Sequence, residues 1–123
     1  MFTQDEMTRY SRHLLLPEVG KVGQERLKNA RVLVVGAGGL GSPVLLYLAS
    51  AGVGTIGIID PDTVDLSNLQ RQVVHDSTTV GVPKVTSAKQ RILAVNPQCN
   101  VRTFETALCP ENAIEILSAF DIV

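Results

Sequence analysis

At 123 residues, 45% apolar and 19% charged, the sequence has the length and composition of one small globular domain rather than of a disordered or fibrous chain. A formal net charge of −1 excludes a general pull toward nucleic acid or membrane, so any anion must be recognised by a few placed residues. No apolar stretch approaches the roughly 20 residues that span a bilayer and the start is acidic and polar, so a soluble, cytoplasmic protein is expected.

Residues 1–30 read as a helical preface. Asp5 or Thr3 can cap a first helix whose apolar positions Met7, Tyr10 and Leu14 recur at helical spacing and which ends before Pro17; a second helix, Gly23 to Asn29, turns Leu27 inward. Arg9 and Arg12 are expected on one helical face, which spacing alone assigns to solvent.

The apolar run Val32 to Val35 leads without a spare residue into Gly36-x-Gly38-Gly39-x-Gly41, and Ser42-Pro43 then opens a helical pattern. Strand, glycine turn and helix in that order point backbone N–H groups and the positive end of a helix dipole at a phosphate. Gly36 allows the sharp turn, Gly38 close approach of an anion, and Gly41 close packing of helix on strand. The helix is expected from Pro43 to Ala51, burying Val44, Leu45 and Leu48 and stopping at Gly52 in a left-handed cap. A second strand, Thr55 to Ile59, ends at Asp60, close to the roughly 20-residue offset at which a Rossmann acid meets a ribose hydroxyl.

From Pro61 to Val82 the chain reads as a long polar loop, a length usually tied to function, carrying Asp62, Asn68 and Arg71. Lys84 then opens a helix to Val95 that buries Val85, Ala88, Ile92 and Val95. A cation in a first helical turn opposes the helix dipole, which makes Lys84 a candidate anion ligand. A third strand is expected at about Asn100 to Phe104, then a helix from Pro110 to Ala119 with Ala113, Ile114 and Leu117 inward, and a fourth strand from Phe120 to Val123. Because a buried parallel strand is normally covered by a further crossover or tail, the sequence reads as the N-terminal piece of a longer protein. Cys99 and Cys109 make no disulfide framework, and with His13 and His75 far apart in sequence no metal site is expected within these residues. The fold class is therefore α/β: a Rossmann-like parallel sheet with helices on both faces over 31–123, preceded by the helical extension 1–30.

A dehydrogenase has no use for an Asn68-x-x-Arg71 loop followed by Lys84, whereas a triphosphate whose charge grows during attack does, so ATP fits better than NAD. The alternatives are a nicotinamide or flavin oxidoreductase on the same fold, and a non-catalytic nucleotide-binding or dimerisation fragment.

Seven motifs carry a resemblance over the whole length: Arg9-Tyr-Ser-Arg12-His, Gly36-Ala-Gly-Gly-Leu-Gly41, Ala49-Ser-Ala-Gly-Val-Gly54, Asp60-Pro-Asp62, Ser67-Asn-Leu-Gln-Arg-Gln72, Gly81-Val-Pro-Lys84 and Asn96-Pro97. With them the chain resembles the MoeB/ThiF family of ubiquitin-activating-like adenylyltransferases. The resemblance implies an enzyme that uses ATP with magnesium to adenylate the C-terminal glycine of a ubiquitin-fold sulfur carrier ending in Gly-Gly, releasing pyrophosphate, in molybdopterin, thiamine or tRNA-thiolation chemistry. It implies that Asp60 holds the ribose, that Asn68, Arg71 and Lys84 hold phosphates, that the turn Gly36, Gly38, Gly39 and Gly41 backs the nucleotide, and that Asp62 is the family's second acid. Arg12 would reach the ATP of the opposite subunit of a homodimer, against the solvent-facing reading of its spacing. The magnesium aspartate and any zinc cysteines are expected beyond residue 123.

Overall fold

The structure is a computed structural model that describes residues 1–123. Its centre is a parallel sheet in the order β1 (Arg31–Val35), β2 (Thr55–Ile59), β3 (Asn100–Phe104), with Val32 opposite Ile56 and Ile56 opposite Val101. The helices in chain order are α1 (Gln4–Arg9), α2 (Ser11–Leu14), α3 (Gly20–Asn29), α4 (Gly41–Ala51), α5 (Lys84–Val95) and α6 (Pro110–Leu117).

Successive strand residues point to opposite faces, and the chain uses both. Val32, Val34, Ile56, Ile58 and Val101 face α4 and α5, meeting Leu45, Ala49, Val85, Ala88 and Ile92 in the main core. Leu33 and Ile59 face the other way, where Phe120 and the α6 residues Ile116 and Leu117 cover them. Gly57 leaves room for that second layer: a Cβ there would lie 2.3 Å from the Phe120 ring. Helices thus lie on both faces, as the alternation predicts.

Two inward faces differ from expectation. In α4 the buried stripe is Ser42, Leu45 and Ala49, with Leu48 half-buried and Val44 45% exposed. In α6, Ile114 is 84% exposed, because the stripe that meets the sheet runs through Ala113, Ile116 and Leu117 at i, i+3, i+4. Val95 is half-buried at the end of α5, and α6 stops at Leu117, two residues short of the expected end. The fourth strand is reduced to one parallel bridge, Val32 with Ile122, on the free side of β1; Phe120 turns into the core instead of joining it.

The preface departs further. Thr3, not Asp5, caps α1: its hydroxyl accepts from the Glu6 N–H and its own N–H donates to the Glu6 carboxylate, both at 3.1 Å. The single expected helix breaks at Tyr10, whose ring is buried against Gly52 and whose hydroxyl accepts from Asn96 Nδ2 at 2.7 Å. The break also sends Arg9 to the Val95 carbonyl at 2.9 Å and leaves Met7 half exposed. The next helix begins at Gly20 rather than Gly23, since two glycines in its first turn carry no apolar signal. Gln24, buried in α3, donates to the Ala51 carbonyl at 2.8 Å and lies 2.9 Å from His13 Nδ1. Buried Glu6 meets the Lys28 ammonium at 3.0 Å. Burial pushes the Glu6 carboxyl up, but the Thr3 N–H and Lys28 outweigh it and hold it below the usual range.

Candidate functional site at the glycine turn

The glycine turn follows β1 at the C-terminal end of the sheet, where open α/β sheets bind ligands. Gly36 takes φ +98°, a conformation other residues strongly resist, and its N–H donates to the Ile59 carbonyl at 2.8 Å. Gly41 starts α4 so close to the turn that a Cβ would lie 1.9 Å from the Gly36 carbonyl oxygen. Its contact is with the turn itself more than with the strand. Between them the N–H groups of Gly38, Gly39 and Leu40 make no hydrogen bond within the chain. Unpaired donors in a row at the start of an eleven-residue helix form a cradle for an anion.

The end of β2 closes one side of this cradle. Asp60 is buried; its Oδ2 accepts from the Ala37 N–H at 2.9 Å and its Oδ1 from the Asp62 N–H at 2.8 Å. A carboxylate offers about four acceptor positions, so about two are left for a ligand's hydroxyls. The Asp62 side chain is exposed while its carbonyl accepts from the Lys84 N–H at 2.9 Å. The expected irregular loop is organised by two short 3-10 turns, Leu66–Asn68 and Ser77–Thr79, capped by Asp65 and Asp76. Asn68 Oδ1 is committed to the first of these, accepting from the Asp65 N–H at 2.8 Å, which leaves its Nδ2 donor unpaired. That turn lays the exposed Arg71 side chain over Gly39, with Nε 3.5 Å from where a Cβ would stand, and the buried Gln72 amide over Gly38 at 3.6 Å. Lys84 begins α5, is 7% exposed, and its ammonium makes no hydrogen bond or ion pair. A lysine stem buried to the head, with nothing to neutralise that head, is suited to an anion outside the protein.

Arg12 is not brought to this group. Both α4 and α5 start at the site and end under the preface, where Gln24, Asn96 and Arg9 bond the Ala51, Ala49 and Val95 carbonyls. The preface therefore sits about a helix length away, roughly 16 Å for α4. Arg12 is exposed there and makes no hydrogen bond or ion pair.

The sequence reading missed three buried polar residues beside the turn. His75, 5% exposed, bonds the Ala37 carbonyl through Nε2 at 2.8 Å and lies 2.7 Å from Ser87 Oγ through Nδ1. Burial, with Lys84 nearby, pushes the His75 pKa below 6.5, against the raising influence of the Ala37 carbonyl, Asp60 and Asp76. Ser42 Oγ and Gln72 Oε1 are buried without partners. The only sequence signal for the three was their nearness to the glycines and Arg71.

Residues 10–123 match the family model described as the ThiF family. The chain belongs to the ThiF family. Among its relatives, "Probable adenylyltransferase/sulfurtransferase MoeZ" of Mycobacterium tuberculosis is 57% identical over 121 residues, covering 98% of this chain and 31% of that protein. "Sulfur carrier protein adenylyltransferase" of Thermus thermophilus is 51% identical over 122 residues, covering 99% of this chain and 45% of that one. This ThiF-family chain thus spans less than half the length of either. Of solved structures, E. coli tRNA N6-threonylcarbamoyladenosine dehydratase, TcdA, in complex with ATP superposes with a TM-score of 0.89 at 30% identity, over 96% of this chain and 48% of that one. The α/β sheet and its place in the family accord with these matches. Both curated relatives are adenylyltransferases, and an oxidoreductase reading of the ThiF-family glycine turn finds no support among them.

Proposed function

We propose that this chain forms the nucleotide-binding part of an ATP-dependent adenylyltransferase that activates the C-terminal glycine carboxylate of a ubiquitin-fold sulfur carrier ending in Gly-Gly. The observation that carries the reading is the unpaired Lys84 ammonium together with Arg71 over a turn whose N–H groups are free. ATP is an anion of the required size and charge, and a relative of known structure binds it.

In this reading Asp60 receives the ribose hydroxyls, the Gly36 to Gly41 turn lies under the phosphates, and Asn68 Nδ2, Arg71 and Lys84 hold the phosphate chain. A carrier carboxylate oxygen attacks the α-phosphorus, the bond to the β-phosphate oxygen breaks, and pyrophosphate leaves with the negative charge that Arg71 and Lys84 neutralise. The nucleophile is already ionised, so no protein base is required, and the protein acts by positioning and charge stabilisation. Asp62 is placed by its N–H on Asp60, and its exposed carboxylate is assigned no step. No three His, Cys, Asp or Glu side chains gather here to hold a metal ion. In this reading magnesium comes with ATP as part of the substrate, and any protein ligand to it, or to zinc, is proposed to lie outside these 123 residues. Arg12 serves the site of a second copy in a cytoplasmic homodimer, which suits its distance from its own cradle. The pathway, molybdopterin, thiamine or tRNA thiolation, is set by the carrier.

The test is exchange of labelled pyrophosphate into ATP by the protein bearing this chain, which should require a carrier ending in Gly-Gly. Lys84→Ala should reduce it by about a hundredfold, as loss of one transition-state donor does. Exchange indifferent to that substitution, or tighter binding of NADH than of ATP, would count against the reading.

A further inference from the structure

Three successive peptide groups of the glycine turn are each held from one side. The Ala37 N–H is held by Asp60 Oδ2, the Ala37 carbonyl by His75 Nε2, and the Gly38 carbonyl by the Ser42 N–H at 2.9 Å. A trans peptide is planar, with its C=O and N–H pointing in opposite directions. Fixing one end of each unit therefore aims the other. Holding the Ala37 N–H aims the Gly36 carbonyl away from Asp60. Holding the Ala37 carbonyl turns the Gly38 N–H away from His75. Holding the Gly38 carbonyl in the first turn of α4 turns the Gly39 N–H outward. Two of these holds come from the elements that flank the site, Asp60 at the end of β2 and the first turn of α4. The third comes from one side chain 38 residues away in sequence.

His75 has no other evident use. A carbonyl only accepts, so Nε2 carries the proton. Nδ1 is engaged with Ser87 Oγ, which lies 2.9 Å from Thr79 Oγ1. This line ties the turn to α5 and to the second 3-10 turn. Ala37 itself is fully buried, so water cannot substitute for the imidazole at its carbonyl.

We propose that His75 is a positioning residue of the nucleotide platform: its Nε2–H, pulling on the Ala37 carbonyl opposite Asp60 on the Ala37 N–H, aims the Gly38 N–H at the phosphates. The inference rests on the turn being a nucleotide site, yet it makes a claim about the turn that holds without nucleotide.

Two variants separate positioning from bulk packing. The amide nitrogen of glutamine lies as many bonds from Cα as His75 Nε2, and that of asparagine as many as Nδ1. His75→Gln can therefore reach the Ala37 carbonyl, whereas His75→Asn reaches only toward Ser87. Titrating ATP into the protein bearing this chain by calorimetry should give His75→Gln within about threefold of the parent Kd and His75→Asn weaker by about tenfold, the worth of one hydrogen bond. Amide hydrogen exchange read by NMR should show the Ala37 N–H, which Asp60 holds, opening faster in His75→Asn than in His75→Gln. If the parent binds no ATP, the nucleotide reading fails while the exchange data still judge His75. Equal Ala37 exchange in the two variants, or equal ATP affinity of the two variants where the parent binds, would overturn the inference.

Discussion

At the scale of the residue, what distinguishes the site is which polar groups are left without a partner. The Lys84 ammonium and the N–H groups of Gly38, Gly39 and Leu40 are unpaired, whereas Asp60 is pinned by two backbone donors before any ligand arrives. The two cysteines show the opposite case, chemistry suppressed by surroundings. Burial pushes the Cys99 thiol up to about 11, so it carries almost no thiolate near neutral pH. Cys109 is half-buried at the start of α6. A colorimetric disulfide reagent at pH 7.5 should modify one thiol per folded chain, Cys109, and reach Cys99 only on unfolding. Cys109→Ser should abolish the fast reaction.

At the scale of the element, the helices are set by where their first turns are pinned. Gly41 presses α4 onto the Gly36 carbonyl, and this phase puts Ser42, Leu45 and Ala49 inward instead of the more apolar Val44. Gly41→Ala must push turn and helix apart, and thermal or urea unfolding should show a loss of about 2–4 kcal/mol, the range of an overpacked core combined with backbone shift. Gly38→Ala meets only a side-chain amide at 3.6 Å and should cost under about 1 kcal/mol while still weakening phosphate approach. These contrasts also explain how legible the elements were. The bounds of β1 and β2 could be read because short β-branched runs end at glycine or aspartate, and those of α5 because its apolar positions recur at helical spacing between Pro83 and Asn96-Pro97. The faces of α4 and α6 could not, because each helix offers two apolar stripes and only the contact with its neighbours selects one. In the site, the glycines, Asp60, Asn68, Arg71 and Lys84 stood out by spacing, whereas His75, Gln72 and Ser42 are recognisable only once the chain has folded them against the turn. The break at Tyr10 was invisible for the same reason: its hydroxyl answers to Asn96, 86 residues away.

At the scale of the whole molecule, one buried histidine should govern how stability varies near neutral pH. The pKa of His75 lies below 6.5 in the folded chain, so the unfolded chain binds more protons in the window just under that value. Stability should therefore fall as pH drops from about 7 toward 5, with a slope of at most about 1.4 kcal/mol per pH unit. Carboxyls held low, Glu6 among them, add their losses mainly below about pH 5. Thermal melts across pH 5 to 7.5 should show this decline in the parent chain and a flatter profile in His75→Gln. The placement of Arg12 permits a second whole-molecule test. If it completes the site of another copy, Arg12→Ala and Lys84→Ala proteins, each inactive, should recover about a quarter of parental exchange activity on equimolar mixing. Half the dimers are then mixed, and each has one intact site of two. An arginine acting within its own chain would give no recovery.

The hold on Ala37 from both sides also has a kinetic meaning. A turn whose peptide planes are already fixed has no backbone rearrangement to complete when a ligand arrives, and little flexibility to lose. What stands over Gly39 is the exposed side chain of Arg71, and side chains of exposed residues change rotamer within nanoseconds. On the proposed reading, capture of a nucleotide at the Arg71 side of the turn should be limited by diffusion and by attraction to the unpaired Lys84 ammonium rather than by a backbone rearrangement. Any slow step, on that proposed reading, then lies where a second macromolecule comes to meet the turn.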